Sequence, residues 1–368
     1  MQIREFLLER YYAKHEFTTP LQLSASDCES LTVEEVLRLG AVPAQELLRL
    51  SLGYTETKGA PALRAAIARF YPGRSPAEIL VFNAPQEAIY LAMHALLGPG
   101  ERVIVMTPCY QSLKEVARSI GSEVVEWPLV ESARGWALDL GRLEELLRQK
   151  TRLLVTNAPH NPTGLQPTAD EWRRIGELVA AHGLRWFSDE MYRGLEPDPE
   201  LALPPAACSS PDALSLWGMS KSFGLPGLRI GWLVSRDADL LRRIEGLKDY
   251  TSICSNAPGE LLARVALGAA EPILARNRER IAANTKRMQA FARRHEDRLE
   301  WQSPMAGPVG LARLKHESAC EHAERVRVER GVLLVPSTLF DLDDAHLRIG
   351  LGRASFPEAL ERWEAAGP

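Results

Sequence analysis

The chain has 368 residues, 45% of them hydrophobic and 25% charged, with a formal net charge of −4. Those proportions are ordinary for a globular protein and exclude a disordered chain, a collagen and a coiled coil. The small net charge gives no electrostatic case for nucleic acid or an anionic membrane, and the length suits one large α/β unit with a smaller unit attached.

Residues 2–14 carry Ile3, Phe6, Leu7, Tyr11 and Tyr12 at near-helical spacing, which predicts a short amphipathic helix. The stretch from Met1 to Phe17 is rich in charge and has no apolar signal core. Residues 18–31 read as polar and irregular, and helices are expected over Thr32–Leu39 and Ala44–Leu50. The middle then alternates. Apolar runs bounded by breakers fall at Glu78–Phe82, Arg102–Met106, Glu123–Trp127, Arg152–Asn157, Leu184–Ser188, Leu214–Trp217 and Arg229–Ser235. Helical patterns sit between many of them, among them Gln86–Leu97, Gln111–Ile120 and Ala169–His182. This alternation predicts a doubly wound α/β fold: a mainly parallel sheet with helices on both faces, binding ligands where the strands end.

After Pro258 the texture changes. A charged helical segment is expected over Glu260–Arg298, with Arg276–Arg280 as a solvated face. Strands at Val309–Arg313, Val332–Val335 and His346–Ile349, a helix ending at Arg330 and another over Pro357–Ala366 read as a smaller α+β unit. Cys28, Cys109, Cys208, Cys254 and Cys320 are odd in number and scattered, which argues against a disulfide framework or zinc ribbon and fits a reducing cytoplasm. No H-E-x-x-H occurs, and no apolar run approaches the ~20 residues of a membrane helix.

Four short segments fall where strands end: Asn157–Gly164, Ser188–Tyr192, Met219–Gly224 and Gly227–Gly231. Alone each is weak, since an N-P-T-G stretch is usually a turn and a lone lysine is usually a surface group. Their order and spacing together are specific. The chain resembles fold-type I pyridoxal-phosphate (PLP) enzymes of the class I/II aminotransferase family, from the segment Gly53-Tyr54…Gly59 to Arg348. The run S-K-S-F-G-L-P-G-L-R-I-G-W at 220–232 carries most of the likeness.

That resemblance implies a large PLP-binding domain over 41–258, with a mostly parallel, seven-stranded type of sheet. It also implies a small domain built from both chain ends, 1–40 and 259–368, and a homodimer. It implies an enzyme moving an amino group from an amino acid to a 2-oxo acid, with Lys221 holding PLP as a Schiff base and shuttling a proton. Asp189 would face the pyridine nitrogen and keep it protonated; a helix cap is the bland alternative. Asn161 and Tyr192 match donors to the ring oxygen, and Tyr110 matches the aromatic that stacks on the ring. Arg229, Ser220 and the helix start at Ala84-Pro85 would hold the phosphate, with Tyr54 reaching the partner subunit's phosphate. Arg348 matches the clamp on the substrate α-carboxylate.

The sequence also departs from the family pattern. Gly218 stands where relatives commonly carry a hydroxyl, three residues before Lys221, and Pro85 supplies no N–H to the phosphate cup. No arginine precedes Ser255-Asn256-Ala257-Pro258, which argues against a dicarboxylate substrate at that pocket. Asp249 could favour a cationic side chain there, though an acid beside Lys248 reads first as a solvated one. T-P-C-Y-Q-S-L at 107–113, the 221–232 run and Lys248-Asp249-Tyr250 are also similar to the capreomycidine synthase branch, which implies a lyase or cyclising synthase as the alternative. A ligand-sensing regulator has little support, because no basic recognition helix precedes Gly53. A dinucleotide enzyme has none, because no G-x-G-x-x-G follows a first strand.

Overall fold

The computed structural model describes residues 2–132 and 135–367. Its strands are β1 (Leu21–Gln22), β2 (Ile79–Phe82), β3 (Arg102–Thr107), β4 (Glu123–Pro128), β5 (Val130–Ser132), β6 (Gly135–Ala137), β7 (Leu153–Asn157), β8 (Arg185–Asp189), β9 (Ala213–Gly218), β10 (Gly231–Ser235), β11 (Leu299–Trp301), β12 (Val309–Leu314), β13 (Val332–Leu333), β14 (Val335–Pro336) and β15 (His346–Gly350).

A seven-stranded sheet runs in the order β2-β10-β9-β8-β7-β3-β4. The pairs from β9 across to β4 are parallel, and β10 runs antiparallel to both β9 and β2. Each of these seven strands was legible as an apolar run. For β2, β3, β7, β9 and β10 the reason is burial on both faces: every residue is buried, so no polar alternation interrupts them, whereas β4 is largely exposed and shows through its valines and tryptophan. Helices Pro85–Leu96, Ser112–Ile120 and Ala169–His182 are among those covering the faces. The last starts on a capping box, with Thr168 accepting from the Glu171 N–H, and ends on Gly183 at φ 61°, a left-handed position suited to glycine.

A second sheet, β11-β12-β15-β14, lies C-terminal to the first. The N-terminal strand β1 joins this part of the molecule by pairing in parallel with β13. The long helix Ala270–Arg294 bridges the two regions, its buried Asn277 Nδ2 donating to Ser222 O at 2.9 Å.

Several expectations need correction. The N-terminal helix, α1 (Leu7–His15), starts later than residue 2. Residues 18–31 are not a loose polar stretch, because Leu21, Leu23, Ser24, Ala25, Asp27 and Cys28 are all buried. The segment expected to be one helix over Glu260–Arg298 is two, Ala257–Gly268 and Ala270–Arg294, parted at Ala269. The run Val332–Val335 splits into the short strands β13 and β14, which pair with different partners. Arg276–Arg280 is not simply solvated: Arg278 Nη1 donates to Gly194 O at 3.1 Å and Asn277 is buried.

Candidate active site

The parallel strands deliver the chemistry to one edge. Asn157 ends β7 opposite Asp189, which ends β8, and Asp189 pairs in turn with Leu216 of β9. Lys221 follows β9 directly, and Tyr110 follows β3. On the other side, Gly231 of β10 sits opposite both Gly218 and Phe82. From Phe82 the chain turns through Asn83-Ala84 into the helix beginning at Pro85.

These ends open on a cavity of about 600 Å³. Lys221, Asp189, Tyr192, Asn161, Tyr110, Arg229, Pro85, Ser220 and Arg348 all line it. Ala84 is buried just behind Pro85. Tyr54 is not brought there within one chain; it is 92% exposed.

The Lys221 amine donates to Ser26 Oγ at 2.9 Å. Burial lowers its pKa, and the Arg348 charge adds to that; the Asp27, Glu9 and Asp189 charges oppose it. Asp189 is buried, with one oxygen accepting from the Met191 N–H at 3.1 Å. Burial pushes its carboxyl up to about 7, against the opposing pull of that N–H and of Lys221. The Tyr192 hydroxyl is buried and without a hydrogen-bond partner among the described residues. Burial raises its pKa, and the Arg348 charge and Ser26 hydroxyl work against that rise.

Arg348 lies on an inner strand of the second sheet and is fully buried. Its Nη1 donates to Asn161 Oδ1 at 3.1 Å, and its Nη2 donates to the Tyr12 hydroxyl at 2.6 Å and to Ser24 O at 2.8 Å. The guanidinium also sits over the Phe340 ring at 5.1 Å, and its Nε has no partner among the described residues. A buried cation held this way, with a donor still free, is built to receive an anion.

At the opposite end, helix Pro85–Leu96 starts without a side-chain cap, and Pro85 and Gln86 of its first turn line the cavity, which sets the positive end of the helix against it. The glycine at 218 now has a reason. A Cβ there would meet the Pro85 ring at 2.9 Å, and one on Gly231 would meet it at 2.8 Å. The proline ring fills the space that a hydroxyl would need. Arg229 stands nearby at φ 53°, its Nη1 donating to Pro226 O at 3.1 Å.

Several cavity residues went unread in the sequence: Ser26 and Asp27, Arg353, and Glu9, Tyr12 and Glu16 of the N-terminal segment. No motif marks them, since a serine in a polar stretch and glutamates on a charged helix resemble ordinary surface.

An orphaned tyrosine hydroxyl, an amine of lowered pKa, a carboxyl in want of a cation and an uncapped helix start fit PLP: a carbonyl to bind, a ring nitrogen, a ring oxygen and a phosphate. Comparisons with known proteins agree. The aminotransferase class I and II family matches residues 18–362. Capreomycidine synthase from Streptomyces vinaceus is 32% identical over 99% of this chain and 92% of its own. A PLP-dependent aminotransferase structure from Streptococcus suis 89-1591 superposes with a TM-score of 0.93 at 27% identity, covering 100% of this chain and 98% of that one. The PLP-dependent cyclase OrfR superposes with a TM-score of 0.91 at 27% identity, covering 99% and 97%.

Proposed function

The chain belongs to the aminotransferase class I and II family, a PLP-dependent enzyme class, and from that premise we propose that Lys221, Asp189 and Arg348 carry the transfer of an amino group from an amino acid to a 2-oxo acid. The convergence of these three on one cavity supports the reading.

PLP, when bound, supplies the electron sink that makes a proton on the substrate α-carbon removable. The residues do the rest. Lys221, whose pKa burial lowers, would hold the cofactor through its carbonyl and would be the group that takes up and returns the α-proton. Asp189 would hold the ring nitrogen in its protonated form. Tyr192 and Asn161 would donate to the ring oxygen, and Tyr110 would supply an aromatic surface for the ring. Arg229, Ser220 and the helix start at Ala84-Pro85 hold the phosphate. Arg348, with Asn161 beside it, clamps the substrate carboxylate and fixes which α-bond faces Lys221.

The same reading takes residues 41–258 as the large unit and 1–40 with 259–368 as the small one. It makes the chain a homodimer in which Tyr54 serves the partner subunit's site, and the five free cysteines support a cytoplasmic setting. A second reading, a lyase or cyclising synthase, draws on the full-length similarity to capreomycidine synthase and to OrfR.

Absorbance spectroscopy on the purified protein with a panel of amino acids tests the proposal. The expected result is a visible band that borohydride fixes on Lys221, that is lost in Lys221→Ala, and that some amino acids convert with release of a 2-oxo acid. Release of ammonia or of a cyclic amino acid instead would transfer support to the second reading. Failure to take up PLP at all would overturn both.

A further inference from the structure

α1 supplies one wall of the cavity. Tyr12, near its C-terminal end, donates to Ser24 O at 2.9 Å and receives Arg348 Nη2 at 2.6 Å. Glu9 stands three residues before Tyr12 and Glu16 four residues after it, so all three share one helical face. That face is turned to the cavity, because all three residues line it.

The charges in the cavity can be matched against their partners. Arg353 is engaged by both oxygens of Asp27, at 2.8 and 2.9 Å. Arg348 faces the α-carboxylate position, Arg229 the phosphate end, and Lys221 and Asp189 the cofactor ring. Glu9 and Glu16 are left over. Neither makes an ion pair among the described residues. Glu9 is held in place by the Tyr110 hydroxyl, which donates to its Oε1 at 2.9 Å, and the Glu16 carboxylate has no hydrogen-bond donor among the described residues. Leu8, Phe17 and Ile89 line the same cavity and offer apolar surface. The pocket is a place for a ligand on independent grounds, since Tyr192, 2% exposed, lines it and its buried hydroxyl has no hydrogen-bond partner among the described residues.

Resting on the proposed function, we infer that the substrate is an amino acid whose aliphatic side chain ends in a cationic group, an ammonium or guanidinium, read by Glu9 and Glu16. Two unpaired carboxylates repel an acidic side chain and leave a neutral one without compensation for their desolvation. A cation satisfies both, through charge-assisted hydrogen bonds. Arg353, the remaining cation on that side, is already occupied by Asp27 and is not free for a dicarboxylate. Glu16 is the inner of the pair, part-buried where Glu9 is exposed: burial raises its pKa, helped by the Asp27 and Glu9 charges and opposed by Arg353 and Lys221, and a bound cation would add to that opposing pull.

The test uses the PLP-loaded protein and 2-methyl amino acids, which lack an α-hydrogen and so bind without turnover. Dissociation constants for 2-methyllysine, 2-methylarginine and 2-methylnorleucine are read from the shift of the cofactor absorbance. The cationic ligands should bind about tenfold to a hundredfold more tightly than the neutral one. Glu16→Gln and Glu9→Gln should each remove much of that preference while leaving the norleucine analogue unchanged. Equal affinity for the lysine and norleucine analogues, or a preference untouched in both variants, would overturn the inference and leave the proposed function standing. Loss of norleucine binding in a variant would show a damaged pocket, and the preference would then be read from the salt dependence of the wild-type constants, which must weaken more steeply for the cationic ligands than for the neutral one. If no amino acid shifts the absorbance, the proposed function itself has failed.

Discussion

At the scale of single residues, Asp189 shows how the fold spends stability on chemistry. The parallel register carries it to the end of β8, into a buried site with one N–H donor. Its folded-state pKa of about 7 lies above the ordinary 3.8. Between about pH 4 and 7 the folded protein therefore keeps a proton that the unfolded chain has released, so stability falls as pH rises through that window. The full loss, reached above pH 7, is roughly 4 kcal/mol as an upper figure. Urea denaturation of the cofactor-free protein at pH 5 and pH 8 should show this fall, and Asp189→Asn should flatten it. With PLP loaded, the same variant should turn over at least about a hundredfold more slowly. A pH slope unchanged in the variant would place the titration elsewhere.

At the scale of elements, the segment around Ser26 is positioned by threading rather than by secondary structure. A Cβ on Gly350 would meet Ala25 O at 1.9 Å, and one on Gly352 would meet Asp27 O at 2.2 Å. The backbone runs close past two glycines, with Gly350 N donating to Leu23 O at 2.6 Å and Glu29 N to Gly352 O at 2.9 Å. Gly350→Ala should therefore cost about 1–3 kcal/mol in denaturant unfolding, through forced displacement of this segment. Gly246→Ala, in the helix Ala238–Lys248 with nothing near the new methyl, should be neutral or stabilising by about 0.5–1 kcal/mol. Equal effects would mean that the close approach is not what makes Gly350 necessary. This contrast also marks what the sequence could reveal. Most strands of the large sheet and the helix Ala169–His182 were legible because local signals set them: buried apolar runs, a Thr168–Glu171 box and a terminal Gly183. Residues 18–31 read as irregular because their burial comes from tertiary contact with β13 and with the chain around Gly350 and Gly352, which leaves no period in the sequence. Lys221, Asp189 and Arg348 carried motifs, whereas Glu9 and Glu16 gained meaning only once α1 was docked beside Arg348.

At the scale of the whole molecule, the active-site cavity draws on both chain ends and the central sheet, and one proposed member still stands apart. Tyr54 is 92% exposed, in company with Leu48, Leu52 and Tyr250, the last 91% exposed. Thr55 Oγ1 donates to Ser255 O at 2.7 Å, and Asn83 Nδ2 donates to Cys254 O at 2.8 Å. These bonds tie the exposed loops to the turn that leads into Pro85, at the phosphate end of the cavity. Exposed large apolar side chains, with a matched tyrosine that lies outside the site of its own chain, are what the proposed two-fold dimer with shared sites requires. Complementation decides the point. Lys221→Ala and Tyr54→Phe chains should each be poorly active alone. If Tyr54 acts across the interface, a mixed dimer holds one site with Lys221 from one chain and Tyr54 from the other. Co-expressed at equal levels, the two should then recover roughly a quarter of wild-type activity, since about half the dimers are mixed and each has one intact site. If Tyr54 acts within its own chain, mixing yields no such site, and activity stays at the level of the Tyr54→Phe chains present.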